Sequence, residues 1–226
     1  MRHLALYYEE GSFVEKNLET AFLWYQRSAD KGDAKAQVKV GKMLDRGVGC
    51  VEDSLKAHEY FKLASENTSS PPEHVVDAFY ALGRNYRVGD VVPQDMSMSF
   101  HYLKLAADNG DVDSQFNVAG CYGDGIGCEQ SFPNACKYYA MAAENGDVDS
   151  MFIVGRMYFA ATPESGLEQN YEVAFKYWHK ASDHGHVQAT GCKCDVLLQY
   201  AFSSNFWDCR RSHIVPNFIF LMTHLY

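Results

Sequence analysis

The feature that most constrains this chain is internal repetition. Five segments end alike, at Gly32, Thr68, Gly110, Gly146 and Gly185, each preceded by two small residues and then an acid or an acid-like pair, as in Ala106-Ala107-Asp108-Asn109-Gly110. The spacings are 36, 42, 36 and 39 residues, so the unit is 36 residues long with two insertions. A period of this size marks stacked supersecondary units, each too small to bury its own apolar face alone.

Within each unit a second column recurs: Ala21, Ala57, Ser99, Ala135 and Ala174, each four residues after Asn17, Asp53, Asp95, Ser131 and Asn170. Those five have side-chain oxygens able to accept a hydrogen bond from the first helical turn, which predicts a helix start at each. Three residues on stands a ring: Trp24, Tyr60, Tyr102, Tyr138 and Tyr177. Spacings of three, four and seven keep such residues on one helical face.

The other half of the unit reads Ala36, Ala78, Ser114 and Ser150, then Gly41, Gly83, Ala119 and Gly155, then Leu44, Tyr86, Tyr122 and Tyr158. Small residues five apart suit a helix that approaches its neighbour closely. Gly47-Val48-Gly49 and Gly125-Ile126-Gly127 join the two halves as tight connections. Each unit is thus a helix–turn–helix pair, and no β-structure is indicated.

The units fall at about 1–32, 33–74, 75–110, 111–146 and 147–185. Counting back one period places the first helix of the first unit across Met1, so that helix is expected to be short. After Gly185, Lys193 occupies an apolar position and Pro216 interrupts a second helix, so residues 186–226 read as a degenerate sixth unit or C-terminal cap.

Charge and cysteine content narrow the function. With 20 Lys+Arg against 29 Asp+Glu the net charge is −9, which disfavours a nucleic-acid or anionic-membrane partner. Seven cysteines cannot all pair, and a reducing, cytoplasmic setting is expected. The apolar run Leu4–Tyr8 stops at Glu9-Glu10, short of the roughly 7–15 residues of a signal peptide. Ile214–Met222, broken by Pro216 and Asn217, is far short of the ~20 residues of a membrane span.

The columns Ala-x-x-x-Leu-Gly-x-x-Tyr-x-x-Gly, a cap, then Ala-x-x-x-Tyr-x-x-Ala-Ala-x-x-Gly resemble the Sel1-like repeat, a relative of the tetratricopeptide repeat. The third unit carries it through Ala78, Leu82, Gly83, Tyr86, Gly89, Asp95, Tyr102, Ala106, Ala107 and Gly110. The resemblance implies an all-α, alpha-alpha superhelix (solenoid) and a non-enzymatic adaptor or scaffold without a cofactor. Leu6-Tyr7-Tyr8-Glu9-Glu10-Gly11, the Ser69-Ser70-Pro71-Pro72 linker and Ala174-Phe175-Lys176-Tyr177-Trp178-His179 are similar to the megalin-binding adaptor subfamily. That similarity implies a receptor cytoplasmic tail as partner.

Candidate chemistry is sparse. Gly123-Asp124-Gly125-Ile126-Gly127 imitates a phosphate loop but joins two helices, and reads as a turn. His184, His186, Cys192, Cys194, Cys209 and His213 include zinc-ligand types, yet Cys192 and Cys194 are roughly 200° apart on a helix. His58, His101 and His179 have no nucleophile predictably beside them. Asn67-Thr68-Ser69 fits a glycosylation sequon, relevant only to a secreted chain. A hydrolase-like or zinc-binding repeat protein is the alternative reading.

Partner-binding residues are expected on surface columns that the fold does not need. Lys42, Arg84, Gly120 and Arg156 follow the close-packing small residue and predict a sparse basic ladder for an acidic peptide. Phe79 is the expected exposed aromatic beside it, whereas the column Val38, Tyr80, Phe116, Phe152 is apolar throughout and predicts core.

Overall fold

A computed structural model of the chain describes residues 1–193 and 196. Among the described residues the structure is helical: α1 (Arg2–Glu10), α2 (Leu18–Ala29), α3 (Ala34–Arg46), α4 (Ser54–Ser65), α5 (Val76–Val88), α6 (Met96–Asp108), α7 (Val112–Asp124), α8 (Phe132–Glu144), α9 (Val148–Phe159) and α10 (Tyr171–Asp183). Further helical residues begin at 187. Contacts divide the chain into two compact units, Met1–Gln130 and the part from Ser131 onward.

The five expected caps are all formed. Asn17, Asp53, Asp95, Ser131 and Asn170 accept from the backbone N–H of Thr20, Lys56, Met98, Asn134 and Val173 and so begin α2, α4, α6, α8 and α10. A second set escaped the sequence reading. Asp33, Asp111 and Asp147, each directly after the glycine that ends a repeat, cap α3, α7 and α9 in the same way. The two long insertions contribute only 3₁₀ turns, at Pro72–His74 and Pro163–Ser165.

Packing follows a knob-into-gap rule between the two helices of a repeat. A Cβ on Gly41 would lie 2.6 Å from the ring of Phe61, and one on Gly83 would lie 2.7 Å from Leu103 Cγ. In the second unit the same relation joins Gly155 to Trp178, at 2.5 Å, and the Trp178 indole N–H donates to the Phe152 carbonyl at 2.9 Å. In these three repeats the knob is the residue after the aromatic column expected from sequence. Trp24, Tyr60, Tyr102 and Tyr177 are half-buried, while Tyr25, Phe61, Leu103 and Trp178 are buried; the fourth repeat reverses the order, with Tyr138 of the column buried and Tyr139 half-buried. One residue rotates a side chain by about 100° on a helix, and here that decides which of two adjacent large residues enters the core.

The first unit's core joins Ala21, Tyr25, Val40, Leu44, Phe61, Phe79 and Leu82 across α2 to α5. The second unit's core gathers Ala143, Met151, Ala174, Trp178, Ala181 and Ala189. The small column Ala36, Ala78, Ser114, Ser150 is buried throughout, as close helix approach requires. In the expected core column only Val38 is fully buried; Tyr80, Phe116 and Phe152 are half-exposed.

The Gly47–Gly49 and Gly125–Gly127 connections are structural. Gly49 (φ 69°) and Gly127 (φ 72°) take left-handed backbone, and a Cβ there would collide with the Leu18 and Met96 carbonyls respectively. The glycine run at 123–127 is therefore a helix end and turn.

Candidate protein-interaction surface

Two of the cations of the expected basic ladder, Lys42 and Arg84, are engaged within the chain. Lys42 Nζ lies 2.6 Å from Asp77 Oδ2, linking α3 to α5. Arg84 Nη2 donates back to both oxygens of Asp45, at 3.1 and 3.2 Å. Lys39 Nζ reaches Glu9 Oε1 at 2.6 Å, and Arg87 Nη1 donates to Asn117 Oδ1 at 2.6 Å, so polar bridges run from α1 through α3 and α5 to α7. Such half-exposed pairs contribute only about 0–1 kcal/mol each, but they occupy the cations. Arg156, on α9, is exposed and has no ion-pair partner among the described residues.

Phe79 requires correction. It is only 5% exposed and lies in the first unit's core, so it is unavailable to a partner. It directly follows the buried Ala78 on α5, and its ring turns inward with that face.

Three concave features among the described residues lie where the sequence offers no motif. In the first unit, α2, α3, α4 and the 50–53 connection enclose a groove of about 810 Å³ with Phe22, Leu44, Cys50, Val51, Tyr60 and Leu63 as apolar lining. A shallower hollow containing Leu23 and Glu19 adjoins it, sharing Phe22, Cys50 and Val51. Val51 is 86% exposed, Leu23 53% and Leu63 52%. In the second unit a hollow of about 410 Å³ is lined by Phe132, Met157, Ala160, Ala161 and Leu167, with Arg156 and Glu164 as charged lining residues.

The remaining reactive groups are tied down. Burial pushes the thiols of Cys50, Cys121, Cys128 and Cys136 up from their ordinary value, which disfavours the thiolate form. His58 is buried, with Nδ1 3.3 Å from Asn85 Nδ2, and burial lowers its basicity. His101 packs edge-on against Tyr102, and His179 Nδ1 is 2.9 Å from Asp183. His186 Nδ1 accepts from the Ala189 backbone N–H at 3.2 Å, and its ring stacks on Phe152. His184 Nδ1 lies 2.8 Å from the Lys180 carbonyl. Cys194, Cys209 and His213 of the suggested zinc cluster lie outside the described residues, and among the described residues no metal-binding group is assembled. Asn67 of the sequon donates to the Gly32 carbonyl at 2.8 Å and so bridges two repeats.

The repeat pattern of the Sel1 repeat family matches residues 1–33, 34–69, 76–111, 112–147 and 148–186. The chain is a Sel1-repeat protein. A solved Sel1 repeat protein from Oxalobacter formigenes shares the fold at a TM-score of 0.64 and 27% identity, over 83% of this chain and 73% of that one. The DAP3-binding cell death enhancer 1 of Mus musculus is 29% identical over 52% of this chain and 29% of its own length. Chitin synthase regulatory factor 3 of Schizosaccharomyces pombe is 40% identical over 28% of this chain and 7% of its own. The chain thus spans less than a third of either curated relative. As a Sel1-repeat protein it has the all-helical repeat fold of the solenoid class, one that generally serves as a protein-interaction scaffold. No helix among the described residues is long and apolar enough to cross a membrane.

Proposed function

We propose that this Sel1-repeat chain is a non-enzymatic adaptor that holds a segment of another protein, working in the cytoplasm. The observation that carries the reading is the groove between α2 and α4, where apolar side chains stand in the open around a cavity large enough to seat several side chains of a partner. The names of the relatives agree in kind: one records binding to DAP3 and the other regulation of chitin synthase. Free thiols at Cys50, Cys121, Cys128 and Cys136 suit a reducing compartment.

An acidic peptide or receptor tail is the second reading, and Arg156 favours it. Of the ladder cations it alone combines exposure with an adjoining apolar hollow, which would take a carboxylate beside a large side chain. Affinity capture from native lysate tests both readings, comparing the intact chain with a Leu23→Glu, Val51→Glu variant and with Arg156→Glu. Loss of a specific protein with either variant supports the adaptor and identifies the surface. A set of captured proteins unchanged by both variants would contradict it.

A further inference from the structure

The α2–α4 groove differs from its repeats in the columns that face solvent. Val51 occupies a column held elsewhere by Glu15, Pro93, Glu129 and Glu168, and Leu23 one held by Glu59, His101, Lys137 and Lys176. Helix and turn form equally well with charge at these positions, so the fold does not call for the apolar residues. Both line the same continuous surface, through the shared Phe22, Cys50 and Val51, and a contiguous exposed apolar patch marks an interaction site more strongly than scattered residues do.

The charged lining residues have one dominant sign. Asp30, Glu52, Asp53 and Glu59 face a single cation, Lys56, which pairs with Asp53 at 3.0 Å. Asp53 is also spent as the cap of α4, leaving Asp30, Glu52 and Glu59 around the apolar floor, with Glu19 in the adjoining hollow. We infer that this groove binds a cationic amphipathic segment of a partner protein, with large apolar side chains against Phe22, Val51 and Tyr60 and Lys or Arg against Asp30, Glu52 and Glu59. The inference rests on the adaptor reading and specifies its ligand. Apolar contact supplies affinity, while the acidic rim, on a chain of net charge −9, sets orientation and encounter rate. The same rim repels anionic membranes and nucleic acid.

Two fluorescently labelled helix-forming peptides with identical leucine positions, one bearing Lys and the other Glu at the remaining positions, test this by anisotropy with the full chain. The Lys peptide is expected to bind, more weakly as salt rises, and Leu23→Glu, Val51→Glu to weaken it tenfold or more. Glu52→Lys, Glu59→Lys is expected to reverse the preference toward the Glu peptide, with helical circular dichroism and melting temperature confirming that each variant folds. Equal binding of both peptides, no binding of either, or unchanged affinity in the groove variants would overturn the inference. So would sedimentation showing that the groove variants separate a dimer, since the occupant would then be a second copy. In any of these cases a partner captured by the intact chain and lost with Arg156→Glu would leave the adaptor reading standing.

Discussion

The connections Gly47–Val51 and Gly125–Glu129 lie one double period apart in the same compact unit and share one backbone solution. Gly47 and Gly125 end their helices in left-handed geometry, at φ 63° and 71°, and Gly49 and Gly127 press against the carbonyls of Leu18 and Met96. Val48 and Ile126 keep the second position apolar, and the chemical character changes at the last residue, where one has Val51 on an open groove and the other Glu129. The repeat fixes the scaffold through positions that admit only one kind of residue. Binding character is set at the positions the scaffold leaves free.

The largest effect should fall on the shared part. Gly49→Ala and Gly127→Ala each combine an unfavourable positive φ with a backbone collision, and each should cost about 2–4 kcal/mol in urea denaturation. A large loss at one and none at the other would break the equivalence. Gly110→Ala serves as the control, because its Cβ would meet open space and only the φ penalty of about 1–2 kcal/mol remains.

Next come the buried hydroxyls of Ser114 and Ser150, which have no hydrogen-bond partner among the described residues and sit where Ala36 and Ala78 stand in other repeats. Replacing either with Ala should stabilise the chain by about 1 kcal/mol in the same assay. Destabilisation would mean the hydroxyl has a role in its repeat.

His58 and Cys136 are another equivalent pair, both buried on the second helix of a repeat. Burial lowers the His58 pKa below its ordinary value near 6.5, so the folded state resists protonation there. Its contribution to stability is fully present above that value and is lost as pH falls below it, because the unfolded chain then binds the extra proton. Melting curves from about pH 8 to about pH 5 should show less of this slope in His58→Cys, which carries the residue of the other repeat. An unchanged slope would assign it to other groups. Smallest of all on stability are Val51→Glu and Glu129→Val, each expected within about 0.5 kcal/mol of the parent by the same melts. A larger change at Val51 would make it a structural residue.

The repeat, the helix pairs and the caps of the second helices were legible because they recur at fixed offsets. The Asp33, Asp111 and Asp147 caps were equally periodic, in the Gly-Asp step that follows three repeat ends, and could have been read the same way. Burial was harder. Phe79 and Tyr80 are adjacent rings on α5, and periodicity alone does not settle a rotation of one residue. The engagement of Lys42 by Asp77 and of Arg84 by Asp45 joins residues 35 and 39 positions apart, in different columns, so no single-column reading reveals it. The groove is not legible in the repeat because its signal is a departure from the columns, Val51 in a column of Glu and Pro and Leu23 in a column of Glu, His and Lys.

Hydrogen exchange on the full chain, with and without the Lys-faced amphipathic peptide, tests most directly the claim that the free columns of the first two repeats form the binding surface. Slowed exchange is expected to be confined to the segments that line the groove, residues 22–32, 37–44 and 50–63. Protection centred on the 125–129 connection instead, or no protection with the peptide in excess, would contradict it.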